Sequence, residues 1–353
     1  MKNKQTLTLS LIIFLLFIMG YLVIFNDKKS SINQRKPIHN FQVSDTSSIT
    51  RIVISDKSPS SVKLTKNTNN QWKINNTHNV RKNAVDILLS TLASMEMKSF
   101  VPKAAEQNVL KNLSTSGTQV KVYKKNKLIK HFYVGSEPQN LLGTYMMIHG
   151  SSKPFVVHIP GFNGFLSSRF FTNKLLWKDR TFCNLPNNEI KSIQINYTND
   201  FNQKKNESFK IEKINSESYI RTKYTNGDKN WVKPKKTPAN FSKSEIYFSL
   251  FKNLQVEAFV NDMSQKNVDS ILKKEPVFEI IITDKNENVK TLKAFYKKAK
   301  KNQTDNNGLP LKHDTDRLFA LVNNTDFAII QYYVFDKILK KYNDFDLNFK
   351  DVK

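Results

Sequence analysis

The chain repeats one long sequence pattern, and this repeat constrains the fold more than any other feature. Shifted by 159 residues, the first half matches the second half without a gap over almost forty positions. The matched pairs include Trp72 with Trp231, Ile87 with Ile246, Leu89 with Phe248, Leu92 with Phe251, Met95 with Leu254, Phe100 with Phe259 and Val109 with Val268. A shared register of this length favours two copies of one module, with convergent patterning of two unrelated domains as the alternative.

Each copy combines strand-like and helix-like periodicity. Isoleucines in residues 49–54 alternate as in a strand, and residues 190–195 repeat that alternation. One apolar helical face is predicted from Val85, Leu88, Leu89, Leu92 and Met95. The sequence therefore predicts an α+β fold: an N-terminal transmembrane helix followed by two tandem copies of a β-rich module, each packed by an amphipathic helix. The modules are placed at residues 41–182 and 183–353.

The N-terminus carries a candidate membrane anchor. Residues 7–25 are uncharged and almost wholly apolar, which is long enough for one helix to span a bilayer core of roughly 30 Å. Bulky residues such as Tyr21 and Phe25 stand where a signal peptidase requires small ones, so the segment is predicted to stay uncleaved. We expect a signal anchor at 1–27, a linker at 28–40, and a single-pass protein of the cell inner membrane. Both flanks carry equal positive charge, so the extracytoplasmic placement of the bulk rests on the short leading segment.

The net charge of +26 predicts attraction to anionic surfaces, and only a weak one. Lysine supplies 49 of the 56 basic residues, and lysine lacks the planar fork with which arginine reads bases and phosphates. We therefore expect no specific nucleic-acid partner. A cytoplasmic, membrane-tethered nucleic-acid binder is the alternative that the charge leaves open.

The two copies differ most at the end of the first module, in residues 154–182. Two of the seven arginines, Arg169 and Arg180, lie there beside Trp177, and His158 is nearby. Arginine beside aromatic residues is typical of binding surfaces, so these four residues form the candidate binding site. The alternative is structural: the arginines pair with carboxylates and the aromatic side chains fill a seam within the chain.

The sequence indicates no catalytic residue, metal site or cofactor. Its six histidines include no HExxH motif, and its nine glycines form no phosphate-binding loop. Cys183 is the only cysteine, and no recognised nucleophile turn surrounds it. Because carboxylate pairs can be distant in sequence, enzymatic activity is left open, and a non-catalytic protein is favoured.

A family resemblance rests on residues 145–182, YMMIHGSSKPFVVHIPGFNGFLSSRFFTNKLLWKDRTF, and on the lead-in from residue 49. This stretch resembles the signature of domain of unknown function 4340, with the second half resembling it more loosely. The resemblance implies a bacterial, non-catalytic envelope protein with one N-terminal membrane segment. Some relatives occur beside transporter or gliding-motility genes, and the family has no established reaction.

Two classes of function follow. The first is an envelope-anchored accessory or interaction protein that contacts membrane lipid through its N-terminal helix and a membrane-protein partner through residues 154–182. The second is an extracytoplasmic glycan or cell-wall binding protein, or a hydrolase, with a cleft between the two copies.

Overall fold

The computed structural model describes residues 40–57, 61–198, 204, 207–224, 236–260 and 263–347. The chain divides into two compact units. The first unit comprises the described parts of Met1–Asn76 and Asn83–Thr172, and the second unit comprises Thr77–Lys82 and Asn173–Lys353. The predicted anchor at residues 7–25 lies outside the described residues, and no helix within them is long and apolar enough to cross a membrane.

Most of the described chain is β-strand. The strands in chain order are β1 (Arg51–Ser55), β2 (Ser61–Lys66), β3 (Trp72–Ile74), β4 (His78–Asn79), β5 (Glu96–Phe100), β6 (Thr118–Lys124), β7 (Lys127–Val134), β8 (Thr144–Ile148), β9 (Phe155–His158), β10 (Thr181–Cys183), β11 (Ile190–Tyr197), β12 (Phe209–Lys213), β13 (Tyr219–Lys223), β14 (Lys236–Ala239), β15 (Leu254–Gln255), β16 (Ala258–Phe259), β17 (Phe278–Asp284), β18 (Val289–Lys298), β19 (His313–Val322) and β20 (Asp326–Gln331). The α-helices are α1 (Lys82–Ser94), α2 (Lys103–Ser116), α3 (Lys174–Trp177), α4 (Phe241–Ser249), α5 (Gln265–Leu272) and α6 (Tyr332–Phe335). Two large sheets with some helices confirm the α+β class.

The first unit contains one antiparallel sheet, with strands in the order β3-β2-β1-β6-β7-β8-β9-β5. Its central pair, β1 and β6, places Ile52 opposite Val122 and Ile54 opposite Val120. All four side chains are fully buried, whereas Val53 between the isoleucines is only partly buried. This alternation is the two-residue period of a strand with one strongly apolar face.

The second unit contains a sheet with strands in the order β14-β13-β12-β11-β17-β18-β19-β20-β16. Reading β11–β13 for β1–β3, β17–β20 for β6–β9 and β16 for β5 reproduces the order of the first sheet. The central pair is β11 with β17, where Ile193 lies opposite Ile282 and Ile195 opposite Ile280. A separate two-stranded sheet pairs β10 with β15.

The predicted amphipathic helix is present in both units. Helices α1 and α4 begin 159 residues apart, at Lys82 and Phe241. Leu88 and Leu92 are buried on α1, and Tyr247 is buried at the matching position of α4. The buried helix face therefore follows the sequence offset.

Each sheet also carries a second helix, which the sequence analysis did not predict. Helix α2 contributes Val109 and Leu113 to a small apolar cluster, and α5 contributes Val268 to the corresponding cluster. These helices bury few side chains and are otherwise polar, so their apolar periodicity is weak. The matching of Val109 with Val268 in the repeat is thus explained by packing.

One matched pair of the repeat stays a prediction. Trp72 lies in β3, whose place in the second sheet order is taken by β13. Trp231 lies outside the described residues. The constant offset is therefore established from α1 onward.

The buried face of α1 gives a direct test of its orientation. Leu88→Ala removes a fully buried side chain and is expected to lower the free energy of unfolding by about 2–5 kcal/mol. Ile87→Ala, at the neighbouring residue, removes a side chain that is 50% exposed and should change it by no more than about 0.5 kcal/mol. Urea denaturation of both variants measures the difference, and equal losses would contradict this orientation.

Candidate interaction surface

Two loops of the first unit meet at one end of its sheet. The β7–β8 connection ends at Thr144, and the segment after β9 begins at Ile159; because β8 and β9 are antiparallel neighbours, these loops lie side by side. The Gly143 N–H donates to the Gly164 carbonyl at 3.0 Å. The Leu166 N–H donates to the buried Thr144 hydroxyl at 2.6 Å, which fixes the second loop against the sheet.

Gly143 permits this close approach of the two loops. Its φ is +131°, a region that side chains with a Cβ rarely adopt. A Cβ at this position would lie 2.8 Å from Val156 Cγ1 and 2.9 Å from the Val157 carbonyl oxygen. Only glycine fits both the backbone conformation and the space.

Four large apolar side chains on these loops are exposed to solvent. Leu141 is 50% exposed, Leu142 and Phe162 are each 38% exposed, and Phe165 is 36% exposed. We call these four residues the loop patch. A group of exposed apolar side chains on neighbouring loops marks a surface that contacts another molecule.

The backbone at Leu141 supports a functional role for the loop patch. Leu141 adopts a φ of +57°, the left-handed region, and it is the only apolar residue to do so among the described non-glycine residues. The others are asparagine, lysine or glutamate. A strained backbone that holds a leucine half in solvent gives the isolated fold little in return, which is typical of functional positions.

Arg169 orders one side of the loop patch. Its guanidinium donates to Thr91 Oγ1 at 2.9 Å and lies 4.5 Å above the Phe162 ring centroid. Burial lowers the pKa of this guanidinium from its ordinary value, although arginine at such a site stays charged at neutral pH. Lys98 adds a second cation, with its Nζ 3.3 Å from the Leu142 carbonyl oxygen. The apolar patch therefore has a positively charged edge.

His158, the other predicted site residue of the first unit, lies at the end of β9. It pairs across the sheet with Glu96 on β5, and its Nε2 lies 3.6 Å from Glu96 Oε1. Its structural role is thus a cross-strand contact at the sheet edge.

Trp177 and Arg180 belong to the second unit. Trp177 ends α3 and is fully buried, with its carbonyl accepting from the Arg81 N–H at 2.7 Å. The Arg180 carbonyl accepts from the Val256 N–H at 2.9 Å. Between them, Lys178 pairs with Asp326 at 2.5 Å. The burial of Trp177 favours the structural alternative for this half of the predicted site.

Sequence reasoning selected the right segment and missed half of the surface. Phe162, Phe165 and Arg169 lie within residues 154–182, but Leu141 and Leu142 precede that segment. The available signal was a Leu-Leu pair inside a Pro- and Gly-containing turn, where apolar residues are unexpected.

The described residues offer binding groups rather than a reactive centre. Within them, no group of three or more histidine, cysteine, aspartate or glutamate side chains could hold a metal ion. Burial raises the pKa of the Cys183 thiol, so the reactive thiolate is disfavoured.

The strain at Leu141 predicts opposite behaviour for two neighbouring leucines. Leu141→Asn places a residue that tolerates positive φ at the strained position, so the relieved strain offsets the lost apolar contacts. Leu142→Asn loses contacts without such relief. We expect Leu142→Asn to be less stable than Leu141→Asn by about 1 kcal/mol in urea denaturation. A reversed order of stability would remove the strain argument.

The sequence matches one known family over more than half of its length. The match covers residues 72–274 and thus parts of both units, and the family is described as Domain of unknown function (DUF4340). No curated protein and no solved structure matches the chain. The family match confirms the resemblance read from residues 145–182, and the chain belongs to the DUF4340 family.

Proposed function

We propose that this chain is a single-pass, envelope-anchored, non-catalytic interaction protein that binds a membrane protein through the loop patch. The observation that carries the proposal is the exposure of Leu141, Leu142, Phe162 and Phe165 on two hydrogen-bonded loops. The partner belongs to a transporter or to gliding-type machinery. The bulk of the chain lies outside the inner membrane.

The tether supports a partner at the membrane. Residues 7–25 have the length and composition of a membrane span, and residues 28–40 form the linker to the first unit. A fully extended linker of that length reaches at most about 45 Å. The loop patch therefore stays near the bilayer, where its binding partners are membrane proteins.

The chemistry of the loop patch defines the partner's surface. Its apolar side chains gain free energy when a partner removes them from water, at about 25 cal/mol for each Å² buried. Arg169 holds the Phe162 ring in place before binding, which lowers the entropy lost on association. The complementary face is apolar at its centre, with acidic or carbonyl groups facing Lys98 and Arg169.

Gene duplication explains why only one unit carries the patch. The two sheets share a strand order, and α1 and α4 begin 159 residues apart. We attribute this to one ancestral module that doubled. In the second unit the β18–β19 connection is an Asn-rich loop, residues 299–312, which lacks the leucine pair. The first unit thus acquired a contact surface that the shared fold does not require.

A topology reporter tests the anchoring. Fusions at Lys353 to an enzyme active only outside the cytoplasm and to one active only inside it are compared in a bacterial host. We expect activity of the first alone, and its loss when residues 7–25 are deleted. Activity of the cytoplasmic reporter alone would exclude the extracytoplasmic placement.

Partner recovery tests the loop patch. The double variant Phe162→Ser with Phe165→Ser is expected to reduce the crosslinked recovery of membrane proteins at least tenfold, because two apolar contacts are lost. The matched control is Tyr333→Ser, which removes an aromatic side chain that is 91% exposed in the second unit. Equal recovery with the double variant and the control would contradict a role for the patch, provided that both variants unfold at wild-type urea concentrations.

A further inference from the structure

The first unit carries a groove that the proposed function does not use. A cavity of about 800 Å³ is lined by residues of β7, of the end of β8 and of the turn that follows it. A second cavity of about 490 Å³ lies beside the C-terminal end of α2. Both are lined by His149 and Gly150, so together they form one elongated groove. Its length suits a chain-like ligand better than a single small molecule.

Four polar side chains cross three strands at the centre of the groove. Gln119 on β6 donates through Nε2 to the Tyr133 hydroxyl at 3.3 Å. The Tyr133 hydroxyl lies 3.1 Å from His149 Nδ1, and the His149 ring stacks on His131 with centroids 3.8 Å apart. We call these four residues the ring ladder. They present ring faces, a hydroxyl and an amide to the groove.

The second unit shows that the fold does not need the ring ladder. The strand register places Glu279 and Lys293 where Gln119 and Tyr133 stand, since each pair lies directly opposite across its sheet. Glu279 and Lys293 approach to 3.8 Å as an ion pair. In the first sheet a structural role would be filled by such a pair equally well.

The two histidines are replaced in the same way. The His149 N–H donates to the His131 carbonyl at 2.9 Å, and the Asn323 N–H donates to the Thr291 carbonyl at 2.8 Å. The backbone is therefore equivalent, with asparagine and threonine in place of the stacked imidazoles. Differences at equivalent positions of a duplicated fold indicate specialised function in one copy.

The imidazoles of the ring ladder suit hydrogen bonding to neutral groups. Burial, His149 and Lys121 together lower the pKa of His131 to about 4, so its ring is uncharged at neutral pH. A neutral imidazole offers one donor and one acceptor. The two rings are stacked only 23° from parallel, so their nitrogens do not converge on one point as metal ligands must.

The rim of the groove is positively charged. Lys57, Lys130 and Lys153 line it, and the single carboxylate in the lining is Asp56. Asp56 Oδ2 already accepts from the Thr172 hydroxyl at 2.6 Å. The lining therefore favours a ligand with negative charge beside its neutral polar groups.

We propose that the groove binds an acidic sugar chain. Sugar rings present C–H faces that pack against aromatic rings, and the His149 and Tyr133 rings supply such surfaces. Sugar hydroxyls both donate and accept, which matches Tyr133, His149 and the Ser151 hydroxyl in the lining. Carboxylates along the sugar chain complete the match with the lysines of the rim.

Calorimetric titration of the purified full-length protein tests this assignment. The probes are an oligogalacturonate, a neutral galactose oligomer of the same length and an inorganic polyphosphate of the same charge. Saturable binding of the oligogalacturonate, at least tenfold tighter than that of either other probe, supports the proposal. Failure to bind it, or binding of the polyphosphate with equal or higher affinity, overturns the proposal.

Two variants locate the binding. Tyr133→Phe removes only a hydroxyl, and His149→Asn introduces the residue that the second unit carries at the equivalent position. Each is expected to weaken oligogalacturonate binding at least fivefold. The matched control is His313→Asn, which removes an imidazole stacked on Tyr296 at 4.2 Å in the second unit and should leave affinity unchanged. Unchanged affinity in both ladder variants, or an equal loss in the control, overturns the assignment to this groove.

Discussion

Burial of the central antiparallel strand pair is the constraint on which each unit depends. Ile52 and Val122 in the first unit, and Ile193 and Ile282 in the second, are fully removed from water across that pair. Such burial supplies most of the free energy that holds a domain together. The flanking strands and the two longer helices of each unit pack around this centre. Surfaces away from it are free to vary.

The differences between the units lie at these variable surfaces. At the ladder positions the second unit carries an ion pair, whereas the first carries a tyrosine and a glutamine beside stacked histidines. At the end of the sheet the first unit exposes apolar loops, held together by Gly143 and by Arg169. Both candidate surfaces thus lie on the first unit, and they use different chemistry: apolar contact at the loop patch and polar ring contact at the groove.

Sequence reasoning identified the features that repeat along the chain. The strand alternation around Ile52 and the buried face of α1 follow from local periodicity, and the offset between the copies places α4. The class of fold and the family membership were also predicted correctly. These properties are local or depend on comparing one stretch of sequence with another.

Features that depend on long-range pairing were not predicted. His131 and His149 are far apart in sequence and meet because β7 pairs with β8, so no sequence motif announces them. Helix α2 buries only Val109 and Leu113, which leaves too weak an apolar pattern to identify. The burial of Trp177 depends on its packing within the second unit. Its aromatic character alone suggested a binding role as readily as a structural one.

Amide hydrogen exchange, resolved along the whole chain by mass spectrometry, tests the central claim most directly. Two sheets built around equivalent buried centres should show the same order of protection. We expect the slowest exchange in β1 with β6 and in β11 with β17, and faster exchange in β3 and β13 and in the edge strands β5 and β16. A central pair in either unit that exchanges as fast as that unit's edge strand would contradict the account.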